Sequence, residues 1–279
     1  MIKTALISVS DKKGIVGFAK ELTKLGIKII STGNTAKLLK QNKIKVTLVS
    51  EITKFPEMLN GRLKSLHPNI FAGILADRRS KKHMKELKQH KIGTIDLVAV
   101  NFYPFEEVMV KNARLDKIME NIDIGGPALA RAAAKNHNNV LVVTEPGDYG
   151  SVAERIKSNK IDEKFRAKLA AKAFLQTARY NVVIGRYFAK AFIDDAFPEI
   201  FNFTFRKLQD LRYGENPHQK AAFYRSFFVP ETCVSTAKQL QGKELSYNNI
   251  LDANDAFELV KDFDRPTAAV IKHTNPSGV

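Results

Sequence analysis

The segment Asp123-Ile124-Gly125-Gly126-Pro127 combines a carboxylate, two glycines and a proline where a helix should begin. Such a start leaves backbone N–H groups and the positive end of the helix dipole free to stabilise an oxyanion. In Gly61-Arg62-Leu63-Lys64-Ser65-Leu66-His67-Pro68, Arg62 and Lys64 stand two residues apart. An extended backbone there would turn both cations toward one anion, although a basic surface loop has the same spacing. His67 has no partner at metal-ligand spacing, so hydrogen bonding is its expected role. Tyr103, in Asn101-Phe102-Tyr103-Pro104-Phe105, would bring a phenol hydroxyl to a strand end, where aromatics beside proline also serve packing. Ser8-Val9-Ser10-Asp11-Lys12 and Ser31-Thr32-Gly33-Asn34-Thr35 offer hydroxyls, and Gly33 would let amides approach an anion. Helix capping explains the hydroxyls and Asp11 equally well; Lys12 is the residue a cap does not need. Lys135 falls roughly three turns beyond Asp123 on the same helix, so spacing alone leaves it on a solvated face.

These groups meet only if the elements bearing them form one sheet edge. Apolar runs at 4–9, 27–30 and 46–49 alternate with helical periodicity at 14–25 and 36–41, which predicts βαβαβ and a parallel sheet. A buried-type strand at 95–100, an Ala-rich helix at 125–136 and a strand at 140–143 continue the pattern. Helices at 149–158 and 162–194 follow, with Gly185 the interior weak point of the second. In such a sheet, ligands sit beyond the carboxyl ends of the strands, where the loops above lie. Helical periodicity ends in a Phe-rich stretch between Pro198 and Lys207, which sets expected domains at 1–198 and 199–279. The second, of about 80 residues, is short of the ~100–150 typical of a domain, and it ends just after a motif that should lead into more structure.

Composition narrows the function classes. A net charge of +16 suits anionic ligands, yet the basic residues are scattered and no nucleic-acid module is recognisable, so no nucleic-acid partner is expected. The densest basic run, Arg78 to Lys88, reads as a solvated helix face. No apolar stretch approaches the ~18 residues of a membrane span, and the N-terminus lacks an export leader, which predicts a cytoplasmic protein without a membrane partner. The single cysteine, Cys233, excludes an internal disulfide and reads as an ordinary core or surface residue.

Five motifs then carry a resemblance: SVSDKKG at 8–14, STGNTAKLL at 31–39, GRLKSLHP at 61–68, NFYPF at 101–105 and DIGGPALARAAAKNH at 123–137. In order and spacing they are similar to the IMP cyclohydrolase half of bifunctional purine biosynthesis proteins. LRYGENPHQ at 211–219, SYNNILDANDAF at 246–257 and KHTNPSG at 272–278 resemble the opening of the AICAR transformylase half of the same family. Phe71 and Ser277 depart from the His and Cys common at those places.

The resemblance implies an α/β fold: a methylglyoxal-synthase-like parallel sheet flanked by helices, then a truncated cytidine-deaminase-like α/β segment. It implies closure of 5-formamidoimidazole-4-carboxamide ribotide to IMP with loss of water, a condensation that needs no cofactor and no metal. Lys64, Tyr103, Asp123 and Lys135 would be catalytic. Ser10, Lys12, Ser31, Thr32, Gly33, Thr35, Arg62, Ser65, Asn101, Ile124, Gly125 and Gly126 would bind the purine ribotide. Arg212, Tyr213, His218, Asn249, Lys272 and His273 would be a transformylase remnant, for which 10-formyltetrahydrofolate is co-substrate only in a complete domain; no transformylase activity is expected from this chain. A homodimer is implied as well. The competing reading is a nucleotide-binding regulatory module of the same fold; a methylglyoxal synthase proper fits the motifs less well, and a nucleic-acid binder least.

Overall fold

The computed structural model describes residues 2–110, 113–193, 197–227, 229 and 231–279. The chain divides into two compact units, Met1–Asp194 and Asp195–Val279. The first is built on a five-stranded parallel sheet of order β3-β2-β1-β4-β5, with β1 Thr4–Ser8, β2 Lys28–Ser31, β3 Val46–Leu48, β4 Leu97–Val100 and β5 Leu141–Val143. The strands are short and continuously apolar because helices cover both faces. Ala5, Leu6, Ile7, Leu97, Val98, Ala99 and Leu141 are fully or almost fully buried.

The helices are α1 Ile15–Lys24, α2 Gly33–Gln41, α3 Val49–Thr53, α4 Pro68–Leu75, α5 Lys81–Gln89, α6 Phe105–Val110, α7 Leu115–Glu120, α8 Gly125–Lys135, α9 Tyr149–Lys157 and α10 Glu163–Phe188. Ile15, Phe18, Ala19 and Leu22 of α1 recur at helical spacing and are buried, which makes α1 amphipathic and fixes its inner face. The small residues Ala130, Ala132, Ala133 and Ala134 let α8 lie close between β4, β5 and α10. Asp162 caps α10 by accepting the Phe165 N–H at 2.6 Å, and the buried stripe Leu169, Ala170, Ala173, Thr177 and Val183 seats that helix. Its last turn widens to a π-type turn, Ala189–Ile193; Asp194, expected as its end, lies outside the described residues.

Two buried polar devices lock the sheet. Asp96 accepts from the Lys3 and Thr4 amides at 2.6 and 2.8 Å and pairs with Arg78 at 2.7 Å. Arg78 therefore leaves the basic run expected as a solvated face and serves the core edge; the exposed helix α5 begins only at Lys81. Ser31, expected at the phosphate, is fully buried and donates its hydroxyl to the Ile7 carbonyl at 2.6 Å, tying β2 to β1.

The second unit holds an antiparallel pair, β6 Phe205–Leu211 with β7 Ala221–Ser226, the helix α11 Tyr247–Val260, and a hairpin of β8 Val270–Lys272 with β9 Asn275–Gly278. Among its described residues only Gly214 and Ser246 are buried, so no apolar side chain there is fully withdrawn from solvent. Among the described residues of the chain, no helix is long and apolar enough to cross a membrane.

Candidate active site

The sheet order reverses between β1 and β4, since β1 leads outward to β2 and β3 while β4 leads to β5. At such a switch point the loops leaving the two central strands diverge and open a crevice. A cavity of about 770 Å³ lies there. It is lined by the loops after β1, β2 and β4, by residues 60–62 and 64–66, by the end of α7 and by the start of α8.

Two lysines and the start of α2 meet at the cavity wall. Thr32 is the extended residue before α2, so Gly33, Asn34 and Thr35 form the first helical turn, three residues earlier than the periodicity indicates. Gly33 adopts φ +53°, and a Cβ there would lie 3.3 Å from Lys64 Nζ, so glycine admits both the backbone turn and the ammonium. Lys12 curls back, its ammonium donating to the Ser10 carbonyl at 3.2 Å and to the Val9 carbonyl. Burial pushes Lys12 below the ordinary lysine pKa; Asp11 opposes the fall and Lys64 adds to it. Two cations thus face the same space. Thr35 is spent on the loop after β1, donating to the Val9 carbonyl at 2.9 Å. Asn101 accepts the Ser10 and Asp11 amides at 2.5 and 2.9 Å and donates to the Asp11 carbonyl at 3.1 Å. Asn101 and Thr35 line the cavity, and these bonds make them shapers of the cradle.

The same cavity gathers a carboxylate and a phenol. Asp123 Oδ1 accepts the Gly126 N–H at 2.8 Å, so the carboxylate caps α8 while facing the cavity. Burial raises its pKa above the usual aspartate range, against the opposing pull of the Gly126, Tyr103 and Gly125 amides and of Lys64. Tyr103 is held above the ordinary phenol pKa by burial first and by Asp123 and Glu57 next. Ser65 Oγ lies 3.3 Å from where a Gly125 Cβ would stand, which places its hydroxyl at the start of α8. Tyr180, on α10, escaped the sequence reading. Its hydroxyl accepts the Asp123 N–H at 2.8 Å and donates to the Asn121 carbonyl at 3.0 Å, and its ring packs on Phe102. The only signal it gave was its spacing, seven residues after the buried Ala173 and three after the buried Thr177 on α10.

Several expectations change. Residues 61–68 are not extended: Leu59–Gly61 is a 3-10 turn, Arg62 is helical in φ/ψ, and Met58 and Leu63 bridge antiparallel. Arg62 consequently pairs with Glu120 at the rim, whereas Lys64 reaches inward. Lys135 is exposed at the opposite end of α8, ~15 Å along the axis from Gly125 at 1.5 Å per residue, and does not line the cavity. His67 takes the expected structural part, its Nδ1 accepting the Asn69 N–H at 3.1 Å. Phe71, where the family commonly has His, packs against the core. In the second unit the Asn249 Oδ1 is occupied by Ser246 at 2.9 Å in a capping box, Arg212 lies over the Tyr213 ring, and Lys272 and His273 are exposed at a hairpin turn with His218 exposed elsewhere. Cys233 is half-buried beside Ser235. Among the described residues no group of three or more His, Cys, Asp or Glu is placed to hold a metal ion.

Comparison with known proteins decides the family. Residues 133–279 match the model of the AICARFT/IMPCHase bienzyme and residues 14–128 that of the MGS-like domain. The chain belongs to the AICARFT/IMPCHase bienzyme family. The bifunctional purine biosynthesis proteins PurH of Acetivibrio thermocellus and Ruminiclostridium cellulolyticum are 52% and 50% identical to it across its whole length. It spans 55% of each of those relatives. The crystal structure of ForH matches with a TM-score of 0.60 and 29% identity, covering 68% of this chain and 98% of ForH. The bienzyme family and the MGS-like domain agree with the parallel sheet flanked by helices described above.

Proposed function

We propose that the first unit is an IMP cyclohydrolase of purine biosynthesis, closing 5-formamidoimidazole-4-carboxamide ribotide to IMP with loss of water. The observation that carries the reading is the convergence of Asp123, Tyr103, Lys64, Lys12, Thr32 and Gly33 on one cavity, in which the Lys64 ammonium stands beside Gly33. A ribotide carries a phosphate and a reacting base, and the cavity offers cations and the start of α2 together with a carboxylate and a phenol. Membership of the bienzyme family and the likeness to PurH proteins support the same assignment.

The reaction joins two groups of one molecule, so orientation, one proton relay and stabilisation of one oxyanion suffice. The phosphate sits in the cradle of Ser10, Lys12, Thr32 and Gly33, shaped by Thr35 and Asn101, with Arg62 and Ser65 beside the ribotide. Tyr103 and Asp123 take a proton from the carboxamide nitrogen as it attacks the formyl carbon. Lys64 and the amides of Ile124 and Gly125 stabilise the oxyanion that forms; it takes back the relayed proton to give a carbinolamine, and the hydroxyl leaves as water with the proton of an adjacent ring N–H as the C=N bond forms. The raised pKa of Asp123 suits a base that must later return its proton. Lys135 stands outside this set because of its exposed position at the far end of α8. Ring closure takes no cofactor in this scheme, and 10-formyltetrahydrofolate belongs to the family's transformylase reaction. Following the family likeness, we assign the protein to the cytoplasm and to a homodimer.

Incubating the chain with the formamido ribotide in the absence of folate, and following IMP by its absorbance, tests the assignment. IMP formation above the uncatalysed rate is expected. Tight IMP binding without turnover would replace the enzyme with a nucleotide sensor.

A further inference from the structure

The anion cradle already has an occupant. Glu57 Oε1 accepts the Gly33 N–H at 3.0 Å and the Thr32 hydroxyl, so a carboxylate of the chain itself sits on the groups offered by the start of α2. Glu57 is exposed and belongs to no helix or strand. Its segment is hinged at Lys54, with φ +56°, and closed beyond it by the Met58–Leu63 bridge; Leu59, Asn60 and Gly61 between them all have positive φ. The same loop carries Arg62, Lys64 and Ser65 into the cavity. A carboxylate and a phosphate oxygen compete for the same N–H and O–H donors, and both cannot be accommodated.

We propose that Glu57 is an intramolecular stand-in for the ligand's phosphate, which the phosphate must displace, so that binding is coupled to movement of the loop bearing Arg62, Lys64 and Ser65. This rests on the reading of the cavity as a phosphoryl-ligand site. The exchange has a consequence for selectivity. A ligand bearing a phosphate dianion offers more charge to Lys12 and Lys64 than one carboxylate does, whereas a nucleoside lacking phosphate gives the cradle nothing in return for releasing Glu57. Glu57 thereby weakens every ligand's affinity by the strength of its own contact and excludes unphosphorylated analogues.

The test is calorimetric titration of inorganic phosphate and of IMP into the parent chain, Glu57→Gln and Glu57→Ala. Glu57→Ala should bind both ligands about tenfold more tightly, the order of one charge-assisted hydrogen bond removed from the ligand-free state and tempered by its exposure. Glu57→Gln, which keeps an acceptor without the charge, should fall between. Because the chain has no tryptophan, Phe55→Trp gives a lone reporter on the same loop. Phosphate should shift its emission with Glu57 present, and Glu57→Ala should show the shifted spectrum before any phosphate is added. Unchanged or weaker binding by Glu57→Ala, with thermal unfolding unaltered, overturns the proposal. The outcomes also separate it from the enzymatic reading: ring closure without tightening in Glu57→Ala removes this inference alone, and tightening without ring closure removes the enzymatic reading alone.

Discussion

Replacing Gly126 by alanine tests whether the position of Asp123 sets the rate. A Cβ at Gly126 would overlap Asp123 Oδ2, stand 2.9 Å from its Cγ and 3.1 Å from Phe102 Cδ1. The Phe102 ring is held by Tyr180, and the Asp123 backbone is held by the Tyr180 hydroxyl, so the carboxylate is the part that yields. Gly126 lies in the first turn of α8, where alanine gains up to ~1 kcal/mol of helix propensity. Overpacking costs ~1–3 kcal/mol. The gain partly offsets the cost, leaving a loss of ~0–2 kcal/mol, or a Tm lower by about 0–8 °C for a unit of this size. Catalysis has no such compensation: moving a reacting group by ~1 Å costs on the order of a hundredfold in rate. IMP formation and thermal unfolding would be measured on Gly126→Ala beside Gly185→Ala. Gly185 is in α10 and has open space around its missing Cβ, so alanine there should gain up to ~1 kcal/mol and leave turnover at the parent rate. Gly126→Ala turning over within about threefold of the parent, a small fraction of the expected loss, would refute the argument.

Other variants probe the supporting contacts. Asn101→Leu removes the clamp on Ser10 and Asp11 and should raise KM for the ribotide about tenfold with a smaller change in kcat, as steady-state kinetics would show. Tyr180→Phe breaks the link from Asn121 to Asp123, with an expected stability loss of ~1 kcal/mol in denaturant titration and a lower kcat. The kcat/KM profile should lose activity as pH falls through the raised pKa of Asp123, so the acid limb should lie above the usual aspartate range; a limb at the ordinary value would exclude Asp123 as the base. Phosphate affinity should weaken as pH rises through the lowered pKa of Lys12, because the ammonium is neutralised earlier than an ordinary lysine; calorimetry across alkaline pH checks this. Lys135→Ala should turn over at the parent rate, since Lys135 is exposed at the far end of α8; a hundredfold loss would mean that the site draws on a second copy of the chain.

The parallel sheet was legible because its strands are short apolar runs set between helices of clear period, and the loops after β1, β2 and β4 were therefore placed correctly at one edge. Periodicity could not place α4, whose eight residues Pro68–Leu75 are apolar on nearly every side, nor show that Gly33 to Thr35 already belong to α2. Ser31 was misplaced because side-chain direction at a strand end depends on register, which a motif does not encode. Residues 61–68 read as extended because the spacing of two cations says nothing of the positive φ values at Leu59, Asn60 and Gly61. Tyr180 and Glu57 were missed because each meets its partner, the Asp123 N–H or the Gly33 N–H, through a contact that only the tertiary fold creates.

The measurement closest to the central claim is steady-state IMP formation by Lys64→Ala beside the parent, with IMP affinity determined on the same samples. In the proposed mechanism Lys64 stabilises the departing oxygen, so its loss should lower kcat on the order of a hundred- to a thousandfold. IMP affinity should fall by less, about tenfold for one lost charged contact, because Lys12, Thr32 and Gly33 remain to meet the phosphate. A Lys64→Ala chain that closes the ring at the parent rate would contradict the account.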